Sequence, residues 1–471
     1  MKGLGTLASA VVGLVLLVPT GSEAAGLYFA ERGVRPLARG GAFVAGADDL
    51  GAVWYNPAGL VEADSSFLVD ASWLRFSSDF TRRTQVFDSS GTAREVESPT
   101  VHGSAPFVPI PTLAASRAFG EHKQLVGAVS LLAPYVAIAS YPLTVEGEPS
   151  PSRYSLVSME GSLLATPAVS LAWHPTDFLQ VGASAQLMLG GFVATTVLAT
   201  SPDRMLSAPE DPTYDALAEL RASRVLAPSA SLGAILRPHE KVRVGLSAQL
   251  PFLIDAPATV RVRLPEAALF DGARQEGESA RVRLALPAVL RAGVEVRPLE
   301  SLRVEFGYTR EFWSAHESID ITPEDVKIHG VTGLPSPFQV GAISIPRHFQ
   351  DSNAFRLGAE YGLAWRSLRW EARAGVSYEQ SAIPAAFLSP LTVDLARLTG
   401  SVGLGVQVGP RLRVDAVLAH VFGTDTTVAP SEAAMPRINP LTGNSLSTGA
   451  VNGGTYRARA DVLGLGLRYA L

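Results

Sequence analysis

The sequence lacks cysteine and any surplus of positive charge. Without cysteine, disulfides, iron–sulfur clusters and thiolate zinc sites are excluded. The formal net charge of -5 over 471 residues argues against nucleic acid as a partner, because such partners usually require a basic face. Beyond the N-terminus, no apolar run reaches the roughly 18 residues that a spanning helix needs.

Catalytic motifs are missing as well. The chain has no Gly-x-Ser-x-Gly, no His-Glu-x-x-His and no phosphate-binding glycine loop. Its eight histidines are scattered, and none lies at metal-ligand spacing from another. The pair Asp48-Asp49 is interpreted as a turn rather than a metal site. The sequence therefore predicts no enzyme, no cofactor and no metal centre, and an outer-membrane lipase would lack its nucleophile and base.

The N-terminus has the pattern of a secretion signal. Lys2 supplies the positive start, and Leu4 to Val18 form an apolar run too short for a comfortable membrane span. Small residues at the ends of Ser22-Glu23-Ala24 predict cleavage after Ala24, so residues 1–24 are the expected signal peptide. An uncleaved anchor is the alternative.

Alternation of apolar and polar residues dominates the rest of the chain, whose mean hydropathy is +0.20. In residues 355–366 and 368–379, apolar side chains alternate with arginine, glutamate and glycine. Such strands suit a wall with lipid on one face and a polar lumen on the other. A soluble sandwich also alternates, but it seldom places Arg and Glu at every second position of consecutive strands.

Short turns and long polar loops alternate between these segments, as in outer-membrane barrels. We predict an all-β fold, a transmembrane antiparallel β-barrel of about 14 strands. The expected strands begin near residues 67, 108, 123, 155, 178, 221, 241, 279, 301, 353, 368, 397, 411 and 455. Within one long loop, Asp211 to Ser223 is expected to form a short amphipathic helix. Glycines in Gly403-x-Gly405 and Gly464-x-Gly466 are expected to make room for lumen contents or to ease curvature of the strands.

Four segments carry a resemblance to a known family. The stretch from Ala38 to Leu60 ends in Asn56-Pro57-Ala58-Gly59-Leu60, and Val126 to Tyr135, Ile345 to Asp351 and Arg373 to Pro384 follow in order. Together they resemble the FadL-type outer membrane transport family (OmpP1/FadL/TodX). The resemblance covers nearly the whole mature chain, although this chain ends in Leu471 where the family usually has an aromatic residue.

The resemblance implies an N-terminal hatch, or plug, over residues 25–66 inside a barrel over residues 67–471. It implies passive transport of long-chain fatty acids or other hydrophobic small molecules across the outer membrane. Extracellular loops would capture the ligand, an apolar pocket in the lumen would receive it, and a gap in the wall would release it sideways. The implied surroundings are outer-membrane lipid and, during biogenesis, the barrel assembly machinery, with the protein as a monomer. The alternative is a FadL-like barrel that serves as an accessory or shuttle in protein secretion.

Specific residues follow from the resemblance. Asn56, Pro57, Ala58 and Gly59 would form the hatch hinge, because asparagine bonds neighbouring backbone and proline fixes φ. A mere structural turn before the first strand is the competing interpretation. Ala133 and Pro134 would form the strand kink, since proline removes a hydrogen bond from the ladder, although an ordinary strand-end proline would look the same.

The lumen wall also carries candidate cations for a carboxylate ligand. By strand parity, five arginines are expected to face the lumen: Arg283, Arg291, Arg303, Arg356 and Arg373. Four glutamates of the same strands are the expected partners in a structural ladder: Glu295, Glu305, Glu360 and Glu371. The pattern singles out none of these arginines as a head-group binder, so the ligand-binding residues stay unassigned.

Overall fold

A computed structural model describes residues 31–87, 90–107, 109–120, 123–133, 139–201, 210–441 and 446–471. The predicted signal peptide, the first six residues of the predicted hatch and Pro134 lie outside the described residues. Among the described residues, no helix is both long and apolar enough to cross a membrane.

Fourteen antiparallel strands close into a barrel, which confirms the predicted fold class. They are β1 (Ser66–Phe87), β2 (Pro109–Phe119), β3 (Leu125–Leu132), β4 (Leu163–Thr176), β5 (Leu179–Ala199), β6 (Asp215–His239), β7 (Val242–Gln249), β8 (Val289–Leu299), β9 (Leu302–Glu311), β10 (Ser352–Trp365), β11 (Leu368–Glu379), β12 (Arg397–Val408), β13 (Leu412–Gly423) and β14 (Gly454–Ala470). Each strand pairs with its neighbour in the chain, and β1 pairs with β14 from Ser66↔Ala470 to Arg82↔Gly454. The ring is therefore closed and leaves no sheet edge for solvent or lipid.

The two faces of the wall follow the alternation in the sequence. On β14, Leu463, Leu465 and Leu467 point outward and are 41, 50 and 49% exposed, whereas Gly464 and Gly466 face the lumen. Two-residue connections are common at one end of the barrel; Arg366 and Ser367, for example, both have positive φ, which suits the twist of a tight hairpin. Long connections gather at the other end, called here the long-loop end.

Four barrel strands are prolonged at the long-loop end by a second run of strands, called here the upper sheet. Its members are Phe252–Arg263, Ser279–Leu286, Ser318–Pro323 and Ile343–Pro346. Breaks at Leu250-Pro251 and Pro287-Ala288 separate β7 and β8 from their prolongations. These prolines fit there because proline cannot donate a ladder hydrogen bond.

The break at Pro287-Ala288 overturns one expectation. On β8 the buried positions are odd-numbered, as at Arg291 and Glu295, but on Ser279–Leu286 they are even-numbered. Arg283 therefore points outward, is exposed, and lies 3.3 Å from Asp255. Its predicted position facing the lumen is wrong. The prediction assumed one continuous alternation along the chain, but the break at Pro287-Ala288 reverses the alternation.

The amphipathic helix expected from Asp211 to Ser223 is also absent. A single turn of 3₁₀ helix covers Pro212–Tyr214, and β6 begins at Asp215. From Asp215 to Ala222, β6 pairs residue by residue with the end of β5. Pairing with an existing strand outweighs the weak helical periodicity of the segment. The starts of the other strands lie close to the predicted ones, with two exceptions. Strand β4 begins at Leu163 rather than near 155, and β8 begins at Val289, whereas the predicted start near 279 is that of the upper-sheet strand Ser279–Leu286.

Short elements complete the described fold. The remaining strands are Ala93–Glu97, Val101–Ser104, Thr144–Val145, Glu148–Pro149, Arg274–Glu276, Lys327–His329, Phe338–Gln339, Thr426–Val428, Pro436–Ile438 and Leu446–Ala450. The helices of the N-terminal segment are α1 (Val34–Ala38), α2 (Ala52–Tyr55) and the 3₁₀ helix Pro57–Ala63. Further 3₁₀ turns cover Ala268–Phe270, Trp313–Ala315 and Ala385–Phe387.

The N-terminal segment lies inside the barrel. Every residue from 31 to 60 is buried except Asp48, which is partly buried. Apolar hatch side chains such as Phe43, Trp54 and Leu60 share one core with inward-facing wall residues such as Leu132 and Ile254. Residues 31–65 therefore form a plug, and they are called the hatch from here on.

Candidate functional site

The hatch motif is fixed by the side chain of Asn56. Its Oδ1 atom accepts a hydrogen bond from the Ala58 N–H at 3.2 Å and so caps the 3₁₀ helix Pro57–Ala63. Its Nδ2 atom donates to the carbonyls of Val44 at 2.9 Å and Ala234 at 3.1 Å. One side chain therefore joins two parts of the hatch to strand β6 of the wall.

Close backbone contacts surround this motif. A Cβ atom on Gly59 would lie 1.9 Å from the carbonyl oxygen of Ala47, so no other residue fits there without displacement. On the wall, a Cβ on Gly182 would lie 2.4 Å from the carbonyl carbon of Pro57. On strand β12, a Cβ on Gly403 would lie 2.4 Å from the Cβ atom of Ala38 in the hatch. The lumen glycines thus let the hatch backbone approach the wall.

A buried carboxylate holds the middle of the hatch. Glu305 on β9 accepts hydrogen bonds from the backbone N–H groups of Val44, Ala45 and Gly46 at 2.6, 2.9 and 2.9 Å. It also lies 3.2 Å from the guanidinium of Arg39, which pairs with Glu295 at 3.0 Å. Because these groups are fully buried, removal of one partner would leave an uncompensated charge.

A second set of ion pairs joins the hatch to strands β8, β9 and β10. Arg303 contacts Asp48, Glu295 and Glu360 at 2.5, 2.9 and 3.3 Å. Arg35 of the hatch lies 2.8 Å from Glu360 and also pairs with Asp48. Burial alone would raise the pKa of Asp48, but the two guanidiniums beside it hold that pKa well below its usual range. Asp48 is thus a network member, not only a turn residue.

The other predicted lumen arginines have hatch or wall partners. Arg373 pairs with Glu360, Glu371 and Asp415 at 2.6, 2.7 and 2.6 Å. Arg356 lies 3.2 Å from Glu31 of the hatch. The guanidinium of Arg291 stacks over the Trp54 ring, 5.3 Å from its centroid. Within the described residues, these four arginines all have partners in the wall or in the hatch.

An apolar cavity of about 210 Å³ lies at the long-loop end. Its walls are aliphatic and aromatic side chains from β4 to β6, from the upper sheet and from the long loops. Among them are Leu164, Phe192, Ile254, Leu286, Ile319, Ile345, Met435 and Ile438. Such a site binds by removing apolar surface from water, at about 25 cal/mol for each Å² buried.

Aromatic rings form part of one boundary of the cavity. Trp313 is fully buried, and its ring centroid lies 5.6 Å from that of Phe349 and 6.1 Å from that of His316. His316 lines the cavity, and its Nδ1 lies 2.7 Å from the carbonyl oxygen of Ala285. Burial, together with the nearby positive charge of Arg347, lowers the pKa of His316 to about 4, so its ring is neutral at neutral pH.

Arg347 lies behind this boundary and is 1% exposed. Its Nη2 donates to the hydroxyl of Thr392, a cavity-lining residue, and its guanidinium lies 4.9 Å from the Phe349 ring centroid. The Nε and Nη1 atoms are buried without hydrogen-bond partners among the described residues. Burial lowers the pKa of Arg347 to about 10. The sequence reasoning missed this residue, although arginine at position 347 continues an apolar alternation through Ile343, Ile345 and Phe349.

Strand β3 ends close to the cavity. Leu132, the last residue of β3, pairs with Thr112 on one side and Thr166 on the other. Ala133 follows and is buried, whereas the neighbouring Pro134 lies outside the described residues. Along the described chain, the next ladder contact is made by Ser140, which bridges Ser104 and Ser158.

The stretch of wall beside the end of β3 also faces the cavity. Ser162 and Leu164 lie between the two sets of pairs, and both line the cavity. Leu164 shares a core with Leu132. The structure thus brings the end of β3 next to the cavity, whereas the Asn56 motif lies apart from it, within the hatch.

Comparisons with known proteins agree with this architecture. The family model for outer membrane protein transport proteins (OMPP1/FadL/TodX) matches residues 15–470. A solved Pseudomonas aeruginosa FadL homologue superposes with a TM-score of 0.72 at 17% identity, covering 94% of this chain and 99% of that one. No curated protein sequence matches.

Toluene transporters are also similar in fold. TbuX of Ralstonia pickettii gives a TM-score of 0.57 at 18% identity, with 94% of this chain and 99% of that chain covered. TodX of Pseudomonas putida gives 0.60 at 14% identity, with 94% and 98% covered. The family match over nearly the whole chain shows that this protein belongs to the OmpP1/FadL/TodX family of outer membrane transport proteins.

Proposed function

We propose that this protein carries hydrophobic small molecules, long-chain fatty acids among them, passively across the outer membrane. The observation that carries the proposal is the apolar cavity at the long-loop end, which is the extracellular end of an outer-membrane barrel. Each methylene group moved from water into such a cavity contributes about 0.8 kcal/mol. A water-filled pore would give a hydrophobic molecule no such gain.

The route that we propose leaves the cavity sideways. The hatch and its ion networks fill the lumen beneath the cavity, while the end of β3 at Leu132 packs with the cavity-lining Leu164. A ligand that leaves through a lateral opening there would stay in an apolar phase. In this proposal, Ala133 and Pro134 form the lateral opening, and Asn56, Pro57, Ala58 and Gly59 set the position of the hatch. The protein acts as a monomer surrounded by lipid, and the barrel assembly machinery inserts it.

Uptake of radiolabelled palmitate by cells with and without the protein tests the proposal. Leu164→Trp fills the cavity next to the proposed opening, and we expect it to reduce uptake about tenfold. Val169→Trp is the matched control, because Val169 lies on the same strand but is 64% exposed toward lipid. Both variants are compared with the wild type at equal surface levels.

Palmitate uptake that does not depend on the protein would contradict the proposed ligand. If, in addition, secreted proteins co-purified with the barrel and their export fell in its absence, the accessory role in protein secretion would replace transport. Equal uptake by the Leu164→Trp variant and the wild type would exclude the cavity as part of the route.

A further inference from the structure

The outer face of the wall at the β1–β14 seam changes from apolar to charged at one level. Its outward side chains nearest the short-turn end are apolar: Phe67, Val69, Ala71 and Trp73 on β1, and Tyr469, Leu467, Leu465 and Leu463 on β14. Toward the long-loop end, the next outward positions are Arg75 on β1, and Asp461 and Arg459 on β14. Because the apolar band of an outer-membrane barrel lies against the acyl chains, Arg75 lies at the level of the head groups of the outer leaflet.

Two arginines at this level have no carboxylate partner. Arg75 and Arg459 are both exposed, and neither forms an ion pair within the described part of the chain. The Nε atom of Arg459 donates a hydrogen bond to the hydroxyl of Ser77 at 3.2 Å. Ser77 lies opposite Arg459 in the ladder, and Arg75 lies two residues from Ser77 on the same face of β1. The two guanidiniums therefore extend from neighbouring positions of one surface, which also carries a hydroxyl.

The carboxylates nearest to these arginines have other partners. Asp461 lies opposite Arg75 in the ladder, but its Oδ1 atom lies 2.6 Å from Nδ1 of His420 on β13. Asp79, the next outward residue of β1 after Ser77, lies 2.7 Å from Nδ1 of His102 in the same way. The donors of Arg75 and most donors of Arg459 are therefore available to a group from outside the chain.

We propose that Arg75 and Arg459 bind a phosphate of a phosphorylated glycolipid in the outer leaflet, whose acyl chains lie along Trp73 and the leucines of β14. A guanidinium fork matches two oxygens of a phosphate, and the Ser77 hydroxyl has a proton left to donate. Tryptophan at the edge of the apolar band is typical of the head-group level, and clustered arginines are typical of anionic lipid recognition. The site lies on the outside of the wall and does not depend on the transport function proposed above.

Lipid A and its dephosphorylated form, which carry the same acyl chains, separate the phosphate from the apolar contacts. The full-length protein is kept in a nonionic detergent, and the binding of each lipid is titrated by native mass spectrometry. We expect the wild type to bind lipid A about 10- to 100-fold more tightly than the dephosphorylated lipid, the range typical of charge-assisted hydrogen bonds. The double variant Arg75→Gln/Arg459→Gln should lose this preference.

Two further variants guard against trivial outcomes. Arg281→Gln/Arg283→Gln is the matched control, because it also removes two outward arginines that are two residues apart on one strand. Both of these arginines already pair with Asp255, at 2.5 and 3.3 Å, so the control should keep the preference. If Arg75→Gln/Arg459→Gln fails to fold, the single variant Arg75→Gln takes its place and should lower the preference severalfold.

Four outcomes would overturn the site. The first is equal binding of the two lipids by the wild type. The second is a preference that persists in Arg75→Gln/Arg459→Gln, or in Arg75→Gln when the double variant does not fold. The third is an equal loss of preference in the control, which would mean that the overall charge of the barrel attracts the lipid. The fourth is displacement of lipid A by millimolar inorganic phosphate, which would mean that the arginines bind free phosphate rather than the lipid.

Discussion

Gly233 of the barrel wall lies directly against Asn56 of the hatch. A Cβ atom on Gly233 would lie 2.0 Å from the Oδ1 atom of Asn56 and 2.9 Å from Cδ of Pro57. Such distances are far inside van der Waals contact, so the hatch motif keeps its position only while position 233 carries no side chain. The wall and the hatch motif therefore constrain each other.

Gly233→Ala should displace the Asn56 motif. Overpacking of a filled interior typically costs about 1–3 kcal/mol, and in this variant the docking of the hatch against the wall should be weakened by that amount. Hydrogen exchange of the amides of residues 44–58 should become faster. Gly400→Ala is the matched control on another strand, because a Cβ at Gly400 would meet nothing within 4 Å. Equal exchange in the two variants would show that the close approach does not constrain the hatch.

Asn56→Ala should loosen the hatch without filling any space. The variant loses the hydrogen bonds to Val44 and Ala234, and each buried group left unpaired costs about 1–3 kcal/mol. We expect faster proteolysis within the hatch in detergent solution. Asn353→Ala removes a comparable set of side-chain hydrogen bonds, to Tyr308 and Gln380 of the wall, and should leave hatch cleavage unchanged.

Glu305→Gln should release the middle of the hatch. The amide oxygen can still accept hydrogen bonds from the N–H groups of Val44 and Ala45, but the amide NH2 group would face the Gly46 N–H, and the negative charge beside Arg39 is lost. Breaking a buried pair typically costs about 3–5 kcal/mol. The measurement is the ion conductance of single barrels in a planar bilayer. Release of the hatch should appear as channel openings that the wild type does not show. A wild-type conductance trace would mean that Glu295 alone suffices to hold Arg39.

Ala133→Trp should impede lateral release. Ala133 is buried directly after the end of β3, so an indole there would occupy the proposed opening. Val129→Trp on the same strand is the control, because Val129 is 56% exposed toward lipid. We expect palmitate uptake to fall about tenfold in the first variant only, while binding to the purified protein persists in both. A fall in binding would instead place the defect in the cavity.

Acid should destabilise the upper sheet through His316. Its pKa of about 4 in the folded protein lies below the ordinary value of 6.5 in an unfolded chain. The stabilisation that the neutral His316 ring contributes to the folded protein is therefore present above pH 6.5. It is lost as the pH falls toward 4, because the unfolded segment binds the proton more readily. The loss approaches about 3 kcal/mol at most. The protection factors of the amides of residues 318–323, which correct for the pH dependence of intrinsic exchange, should fall over that pH range, and His316→Gln should remove this dependence.

Strand alternation made the barrel predictable from the sequence, because side chains on a lipid-facing wall must alternate at every rung. The same rule failed where it was carried across a break. Pro287-Ala288 reverses the alternation, which places Arg283 outside and keeps Arg291 inside. The Asp211–Ser223 segment has a helical period, but most of it pairs with strand β5, and this pairing decides its structure.

The cavity could not be predicted in the same way, because its lining comes from segments far apart in the chain. Ile254, Ile345 and Ile438 meet only after the upper sheet and the long loops have folded together. The arginines singled out by parity turned out to hold the hatch or the wall. Arg347 carries a local signal, an arginine within an apolar alternation, but its lack of a partner is a property of the folded protein.

The seam between β1 and β14 has a consequence for how the molecule is made. Ser66 pairs with Ala470, so the ring cannot close until the chain has been synthesised as far as Ala470. The hatch precedes Ser66 in the chain and is nearly sealed from solvent once the ring is closed. It must therefore enter the lumen before or during closure. The contacts of highest sequence separation, those between β1 and β14, form last. A weakened hatch would consequently lower the yield of assembled barrels even where it leaves the finished wall intact.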